Sequence, residues 1–168
     1  DGRRIRPSRR RCRASSKRLG REACRTRASP SGHPVILVDA GPLVALADAS
    51  DAHHEACLGT LGRITEPMGT VWPALTEAVY LVQKWPRAQM EILDLVQSGA
   101  LRVLPLGRED MARMRALMTK YRDLPMDLAD AALVRAAERE RISTVFTVDR
   151  RDFSLYRPLG IGRFRIVP

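Results

Sequence analysis

Residues 35–46, VILVDAGPLVAL, decide the fold of this chain. The first four are aliphatic and show no polar alternation, which predicts a short strand buried on both faces of a parallel sheet. Ala40-Gly41-Pro42 breaks the strand, and residues 43–46 predict a helix that has Pro42 near its first turn. Asp39 therefore follows the carboxyl end of the first core strand, where open α/β sheets bind their ligands.

Strands and helices alternate along the rest of the chain. The hydrophobic pattern predicts further strands over residues 101–106, 142–149 and, at an edge of the sheet, 164–167. It predicts helices over about residues 52–61, 70–82, 86–97, 108–120 and 126–138. This alternation is typical of a three-layer α/β/α domain, in which helices cover both faces of a mainly parallel sheet.

Two of these helices carry more detailed predictions. In the helix over residues 70–82, Thr70 or its neighbour is expected to be the cap, and Pro73 lies in the first turn. In the helix over residues 108–120, we expect the buried face to consist of Met111, Met114, Leu117 and Met118. Methionines at this spacing ordinarily fill a core.

The strong positive charge belongs to one end of the chain. Of the 168 residues, the first 34 hold 12 Lys/Arg and 2 acidic residues, whereas residues 35–168 hold 17 of each kind. The predicted domain is therefore neutral, and the net charge of +10 indicates nothing about its partner. With 45% hydrophobic residues, the chain has enough apolar material for one core and one domain, residues 35–168.

Residues 1–34 are predicted to form a disordered basic tail, because Ile5 and Leu19 are their only large aliphatic residues. An RNA-binding arm, a transit peptide and upstream sequence translated from an incorrectly assigned start are the three alternatives. A transit peptide is disfavoured by the lack of an amphipathic face. We expect a dispensable extension.

The three cysteines, Cys12, Cys24 and Cys57, lack the spacing of a metal site and are odd in number. They indicate a reducing compartment with neither a disulfide framework nor zinc. No apolar stretch approaches the roughly 18 residues of a membrane span. We therefore expect a cytoplasmic protein that has no contact with a membrane.

Four acidic residues can be placed at one edge of the predicted sheet. Asp39 and Asp149 each follow a buried strand, and Glu77 and Asp130 lie near the amino ends of helices that pack at the same edge. Because like charges raise each other's pKa, such a group needs a counter-charge. Mg²⁺ or Mn²⁺ would supply it, and metal-assisted hydrolysis of a phosphodiester is the chemistry that follows.

The acids on helices also have structural interpretations. Asp127 is a good helix N-cap, and Asp130 three residues later resembles the second half of a capping box. Asp130 fits that role less well because small and apolar residues follow it. Glu77 taken alone could be an ordinary solvated residue of a helix.

Four segments, taken in order, resemble the acidic motifs of the PIN-domain family. They are Val-Asp39-Ala-Gly-Pro-Leu-Val-Ala-Leu, Thr-Glu77, Leu-Ala-Asp130-Ala-Ala-Leu-Val and Thr-Val-Asp149-Arg-Arg-Asp152-Phe. The similarity spans about residues 35–167 and is closest to the ribonuclease toxins of bacterial VapBC toxin–antitoxin pairs. Each motif is short, whereas the ordered set of four is specific.

The resemblance implies a PIN-like fold and a Mg²⁺-dependent endoribonuclease that can use Mn²⁺ as a substitute. It implies that the catalytic and metal-binding acids are Asp39, Glu77, Asp130 and Asp149. It further implies an RNA substrate, a homodimer, and inhibition by a cognate VapB-like antitoxin whose tail enters the active-site groove in the bacterial cytoplasm.

Three further residues are auxiliary candidates. Asp127 is expected to be a cap that assists the site, and Asp152 belongs to the Asp-Phe turn and is more structural than catalytic. Thr147 could hydrogen-bond the Asp149 carboxylate or a phosphate. Contacts with the RNA backbone are expected from scattered basic residues: Arg63, Arg102, Arg122, Arg150 and Arg151.

Three other functions compete with this interpretation. A phosphohydrolase with a nucleophilic Asp39 would need a second acid at position 41, which is glycine. A non-catalytic RNA-binding or regulatory PIN-like module would require a damaged acidic set. A nuclease acting on DNA flaps would carry DNA-gripping segments that a short, neutral domain lacks.

Overall fold

A computed structural model describes residues 35–124 and 126–168, so the predictions about residues 1–34 lie outside the described residues. The strands of this part are β1 (Ile36–Val38), β2 (Met68–Thr70), β3 (Leu101–Val103), β4 (Thr144–Phe146) and β5 (Arg165–Val167). They form one sheet in the order β3-β2-β1-β4-β5, and every neighbouring pair is parallel. The predicted parallel sheet, with its last strand at an edge, is confirmed.

Helices cover both faces of the sheet. They are α1 (Ala40–Ala47), α2 (His54–Leu61), α3 (Trp72–Leu81), α4 (Pro86–Gln97), α5 (Met111–Lys120), α6 (Leu128–Glu140) and α7 (Arg150–Leu155). One core cluster joins the sheet to α5 and α6, the other joins it to α1, α2 and α4, and α3 contributes to both. The predicted three-layer α/β/α architecture is therefore confirmed. None of the helices in the described part is long and apolar enough to span a bilayer.

Strand β1 is buried on both faces, as its unbroken aliphatic run predicts. Leu37 belongs to the core cluster under α5 and α6, whereas Ile36 and Val38 belong to the opposite cluster. Leu37 pairs with Val145 of β4 on one side and with Gly69 of β2 on the other. The most apolar strand thus lies at the centre of the sheet.

Strand β2 has no clear signal in the sequence, since Met-Gly-Thr is short and contains a glycine, a weak strand former. Its neighbours β1 and β3 provide hydrogen-bonding partners on both sides. The prediction of helix from Thr70 onward is wrong at this residue, because Thr70 ends β2. The cap position of α3 is its neighbour Val71, and Pro73 lies in the first turn as predicted.

Strand β1 ends before residues 40–42 as predicted, but helix α1 already begins at Ala40, so the predicted helix start at Leu43 is wrong. Pro42 is tolerated there because the first N–H groups of a helix have no partner within the helix. Gly41 is required by a close approach, since a Cβ at this position would collide with the side chain of Val148. The start of α1 therefore lies directly against the segment that follows β4.

The helix predicted over residues 108–120 is divided into a 3-10 turn, Arg108–Asp110, and helix α5. Met114 and Leu117 are buried and Met118 is partly buried, as predicted. The prediction that Met111 belongs to the buried face is wrong, since Met111 is 54% exposed. It is the first residue of α5 and lies at the end of the helix, directly after the 3-10 turn.

A buried ion network joins the 3-10 turn to α6. Asp110 is fully buried, and its carboxylate accepts hydrogen bonds from Arg135 Nε at 2.8 Å, Arg139 Nη1 at 2.9 Å and the Gly107 N–H at 2.9 Å. Burial raises the pKa of Asp110, but these donors outweigh it and hold the pKa below its ordinary value. The network anchors the helix that carries Asp130.

Candidate acidic site

The carboxyl ends of β1 and β4 bring two of the predicted acids to one edge of the sheet. The strands are parallel neighbours and pair from Ile36 with Thr144 to Val38 with Phe146. Asp39 follows β1 directly, and Asp149 comes three residues after β4. The chain leaves β1 for β2 on one side while β4 lies on the other, so this edge is a topological switch point.

Asp39 is a buried carboxylate, 8% exposed, with both oxygens hydrogen-bonded. It is the N-cap residue of α1, and its Oδ1 accepts from the Ala40 N–H at 2.7 Å. Its Oδ2 accepts from the Thr147 hydroxyl at 2.7 Å. Burial raises the pKa of Asp39; the Thr147 and Ala40 hydrogen bonds oppose this shift, and the carboxylates of Asp127 and Asp149 add to it.

Thr147 connects the two strand ends, although its partner differs from the prediction. Its hydroxyl donates to Asp39 rather than to the Asp149 carboxylate, and it accepts from the Asp149 N–H at 3.0 Å. Thr147 is fully buried, so this hydroxyl has a defined position. It fixes the orientation of Asp39 relative to the turn that carries Asp149.

Helix α6 contributes two acids through its first turn. Asp127 is the N-cap residue, and its Oδ1 accepts from the Asp130 N–H at 2.9 Å, which confirms the predicted cap. The Asp130 carboxylate does not complete a capping box but accepts at Oδ2 from the Tyr156 hydroxyl at 2.9 Å. The pKa of Asp130 is raised to about 7, chiefly by burial and further by the charges of Asp127 and Asp39, against the opposing effect of the Tyr156 hydrogen bond.

Glu77 lies in the second turn of α3, which packs against α1 and α6. It is partly buried. Burial raises its pKa, and the charges of Asp127 and Asp39 raise it further. Glu77 therefore belongs electrostatically to the same group of acids as Asp39.

Asp149 is the N-cap residue of α7, and its Oδ1 accepts from the Asp152 N–H at 3.0 Å. Its side chain is exposed, whereas Asp152 in the first turn of α7 is buried. Burial raises the pKa of Asp152, and the Asp149 charge adds to the shift. Asp152 thus supports the turn that presents Asp149.

The negative charges of Asp39 and Asp127 both raise the pKa of Glu77 and of Asp130, so these four acids interact as one group. Ion pairs among the described residues involve a different set of acids: Asp110, Asp123, Glu138 and Glu140. Within residues 35–124 and 126–168, no three His, Cys, Asp or Glu side chains are arranged to hold one metal ion. In the described part, the four predicted acids therefore form an acidic rim that no ion pair neutralises.

The family model described as "PIN domain" matches residues 36–157, from the first residue of β1 to just beyond α7. The chain belongs to the PIN-domain family. It is also 31% identical over 135 residues to Ribonuclease VapC26 of Mycobacterium tuberculosis, a match that covers 79% of this chain and all of the relative. The predicted resemblance to VapC-type PIN domains is thereby confirmed.

Three solved structures share the fold of this PIN domain. Mycobacterium tuberculosis VapC20, described as a sarcin–ricin loop cleaving toxin, has a TM-score of 0.65 at 19% identity and covers 69% of this chain and 91% of its own. A toxin–antitoxin complex from Klebsiella pneumoniae has a TM-score of 0.58 at 17% identity, with coverages of 79% and 96%. VapBC2 of Rickettsia felis, bound to a promoter DNA fragment, has a TM-score of 0.58 at 14% identity, with coverages of 80% and 99%.

Tyr156 contacts the candidate site but is not revealed by the sequence pattern. Its side chain is fully buried, and its hydroxyl donates a hydrogen bond to the candidate acid Asp130. A sequence signal exists, since a tyrosine seven residues after Asp149 and next to the Asp-Phe turn needs a hydrogen-bond partner once buried. The identity of that partner, 26 positions away, requires the tertiary structure.

The raised pKa of Asp130 predicts that the free energy of unfolding of the metal-free PIN domain depends on pH. Its pKa is about 7 in the folded state against an ordinary value of 3.8, so the folded state binds more protons between these values. The free energy of unfolding should therefore fall as the pH rises, and urea unfolding in EDTA should give a lower value at about pH 8 than at about pH 5. Asp39 and Glu77, whose pKa values are also raised, act in the same direction.

The matched variant for this measurement is Asp130→Asn, which is neutral at every pH and should show a smaller decline. An equal decline in the wild-type protein and in Asp130→Asn would contradict the assignment of this pH dependence to Asp130.

Proposed function

We propose that this PIN domain is a Mg²⁺-dependent endoribonuclease and the toxin of a toxin–antitoxin pair. In this proposal the catalytic and metal-binding acids are Asp39, Glu77, Asp130 and Asp149. The observation that carries it is the convergence of a buried, hydrogen-bonded Asp39 with acids from helices at the carboxyl edge of the sheet. The ribonuclease name of the 31% identical relative supports RNA as the substrate.

The residues fit a hard divalent cation. Their ligand atoms are carboxylate oxygens, and burial raises the pKa of Asp39, Glu77 and Asp130, a shift that a bound cation would reverse. Mg²⁺ keeps several waters and is commonly held by one or two carboxylates together with substrate phosphate, so three converging ligands are not required. When bound, Mg²⁺ or Mn²⁺ would lower the pKa of a water and stabilise charge on the phosphate.

The chain itself orients the acids before any ligand binds. The Ala40 N–H and the Thr147 hydroxyl hold the two oxygens of Asp39, so this side chain has one orientation at the end of β1. Asp149 is held by its bond to the Asp152 N–H at the start of α7. Preformed geometry of this kind reduces the reorganisation that binding and catalysis require.

The arginines next to the acidic rim are proposed to contact RNA phosphates. Arg150 and Arg151 are exposed in the first turn of α7, directly after Asp149. Arg63 is positioned differently, since it lines a cavity of about 240 Å³ together with Ile36 and Thr144, the first residues of β1 and β4. Of these three arginines, Arg150 and Arg151 lie beside the site, whereas Arg63 lies near the amino ends of β1 and β4.

The proposal includes a VapB-like antitoxin and a second copy of the chain as partners. Two of the structures that share the fold are a toxin–antitoxin complex and VapBC2. Large apolar side chains that suit burial against a protein partner are exposed on or beside α3 and α4: Trp72, Tyr80, Leu81, Trp85, Met90 and Leu93. We also propose that residues 35–168 form the functional domain in the cytoplasm and that residues 1–34 are an extension to it.

Asp127→Ser should retain most of the cleavage rate, within about 3-fold, because serine also caps helices and Asp127 is proposed to act mainly as a cap. The comparison variant is Asp127→Ala, which lacks the cap and should lose about 1 kcal/mol of unfolding free energy. Cleavage rates and urea unfolding of both variants provide the measurement. A folded but inactive Asp127→Ser protein would make Asp127 a ligand of the site.

The direct test of the activity is incubation of the purified chain with total bacterial RNA in Mg²⁺ and in EDTA. We expect discrete fragments in Mg²⁺ and none in EDTA. The absence of fragments in both, from folded protein free of antitoxin, would contradict the proposal and favour a non-catalytic RNA-binding or regulatory module.

A further inference from the structure

The geometry points to Tyr156 as a positioning residue that orients the Asp130 carboxylate toward a cation at the acidic rim. The inference rests on the proposed function. It starts from one contact, in which the Tyr156 hydroxyl donates to Asp130 Oδ2 at 2.9 Å.

The ring of Tyr156 is held in place by other aromatic rings. It packs edge-on against Tyr121 and Phe153, with ring centroids 5.1 and 5.3 Å away, and Phe153 in turn packs against Phe164 at 5.8 Å. Tyr156 is fully buried. Because the ring cannot turn without displacing this cluster, its hydroxyl is presented to Asp130 in one direction.

Tyr156 forms a hydrogen bond with only one oxygen of the Asp130 carboxylate. Oδ2 accepts the hydroxyl, which leaves Oδ1 as the oxygen available to a ligand at the rim. The Asp130 backbone N–H is held by Asp127, so the residue is fixed at both its main chain and its side chain. Hydrogen bonds of this kind to a ligating carboxylate select its orientation and strengthen metal binding.

Tyr156 also links Asp130 to the fourth predicted acid. It directly follows α7, whose N-cap residue is Asp149, and its N–H bonds to the Asp152 carbonyl at 3.2 Å. A single short helix therefore connects the Asp149 turn to the side chain that holds Asp130. The contact ties the first turn of α6 to the turn after β4.

Tyr156→Phe removes only the hydroxyl and keeps the ring. A matched control is Tyr121→Phe, which removes a hydroxyl from the same aromatic cluster, where it accepts from the Arg157 N–H at 2.8 Å. The measurement is the Kd for Mn²⁺ of the purified chain by titration calorimetry, with melting temperatures in EDTA and with kcat and KM for RNA cleavage. We expect Tyr156→Phe to bind Mn²⁺ about 10-fold more weakly and to lose kcat, and Tyr121→Phe to stay within about 2-fold of wild type.

Two results would overturn the inference. Unchanged Mn²⁺ affinity in Tyr156→Phe would show that the hydroxyl does not act through Asp130, and equal weakening in Tyr121→Phe would show a general effect of the aromatic cluster. The wild-type titration tests the proposed function separately. Absence of Mn²⁺ binding by the wild-type chain would contradict the metal site itself, and with it the role of Tyr156.

Discussion

Asp39→Asn is expected to reduce Mg²⁺-dependent RNA cleavage by at least about 100-fold, because it removes one ligand charge worth several kcal/mol of transition-state stabilisation. The fold should survive the change. Asparagine is a good N-cap and can accept from the Ala40 N–H, while its amide can donate to the Thr147 hydroxyl. Since burial raises the pKa of Asp39, a neutral side chain should not lower the melting temperature of the metal-free protein.

The control for this variant is Asp94→Asn, the same chemical change at an exposed residue of α4. It should cleave RNA at the wild-type rate. The measurement is the cleavage rate of purified proteins at saturating Mg²⁺, together with melting temperatures in EDTA. A folded Asp39→Asn protein that cleaves as fast as Asp94→Asn would remove Asp39 from the site.

Asp110→Ala is expected to lower the free energy of unfolding by about 3 kcal/mol or more, the usual effect of breaking a buried ion pair on one side. Asp110 is fully buried, and its removal takes the shared carboxylate from the guanidinium groups of Arg135 and Arg139, which are about a quarter exposed. Arg135 then keeps only its 3.7 Å contact with Glu138, and Arg139 keeps only its pair with Glu140 at 3.1 Å. The Gly107 N–H at the start of the 3-10 turn also loses its acceptor. Urea unfolding at neutral pH measures the effect.

Asp123→Ala provides the matched control, since Asp123 pairs with Arg122 at 3.8 Å on the surface, where the two side chains are 91% and 77% exposed. An exposed pair of this kind contributes about 0–1 kcal/mol, so this variant should unfold almost like the wild type. Equal, small losses in Asp110→Ala and Asp123→Ala would contradict a stabilising role for the buried network.

The sequence predicts the edge of the sheet where the acids lie because the signal there is local and strong. A short, uninterrupted aliphatic run that is rich in β-branched residues and bounded by Gly-Pro favours a strand buried on both faces, and the residue that follows such a strand lies at the carboxyl edge. The positions of Asp39 and Asp149 at this edge follow from this rule alone. Their adjacency depends on β1 and β4 being neighbours, which the alternation of strands and helices does not determine and the structure shows.

Elements that depend on their neighbours are predicted less well. Residues 68–70 form a strand because β1 and β3 offer hydrogen bonds on both sides, not because Met-Gly-Thr favours one. Ala40 begins a helix without a preceding turn because Gly41 allows contact with Val148. In both cases a contact distant in sequence outweighs the local preference.

The hydrogen bonds of the site lie beyond the reach of sequence patterns for the same reason. Thr147 is within two residues of Asp149, which makes that carboxylate the obvious partner, yet the fold brings Asp39 to the hydroxyl from 108 residues away. Tyr156 reaches Asp130 across 26 residues. Residue types and spacing identify the acids, whereas only the tertiary structure identifies the residues that orient them.

X-ray diffraction from crystals of the protein grown with Mn²⁺, with the anomalous signal of the metal recorded, tests the central claim most directly. The proposed site predicts an anomalous peak in bonding contact with an Asp39 carboxylate oxygen, on the edge of the sheet shared with Glu77, Asp130 and Asp149. A peak only at other residues, or none at millimolar Mn²⁺, would contradict a metal-dependent acidic site at the end of β1.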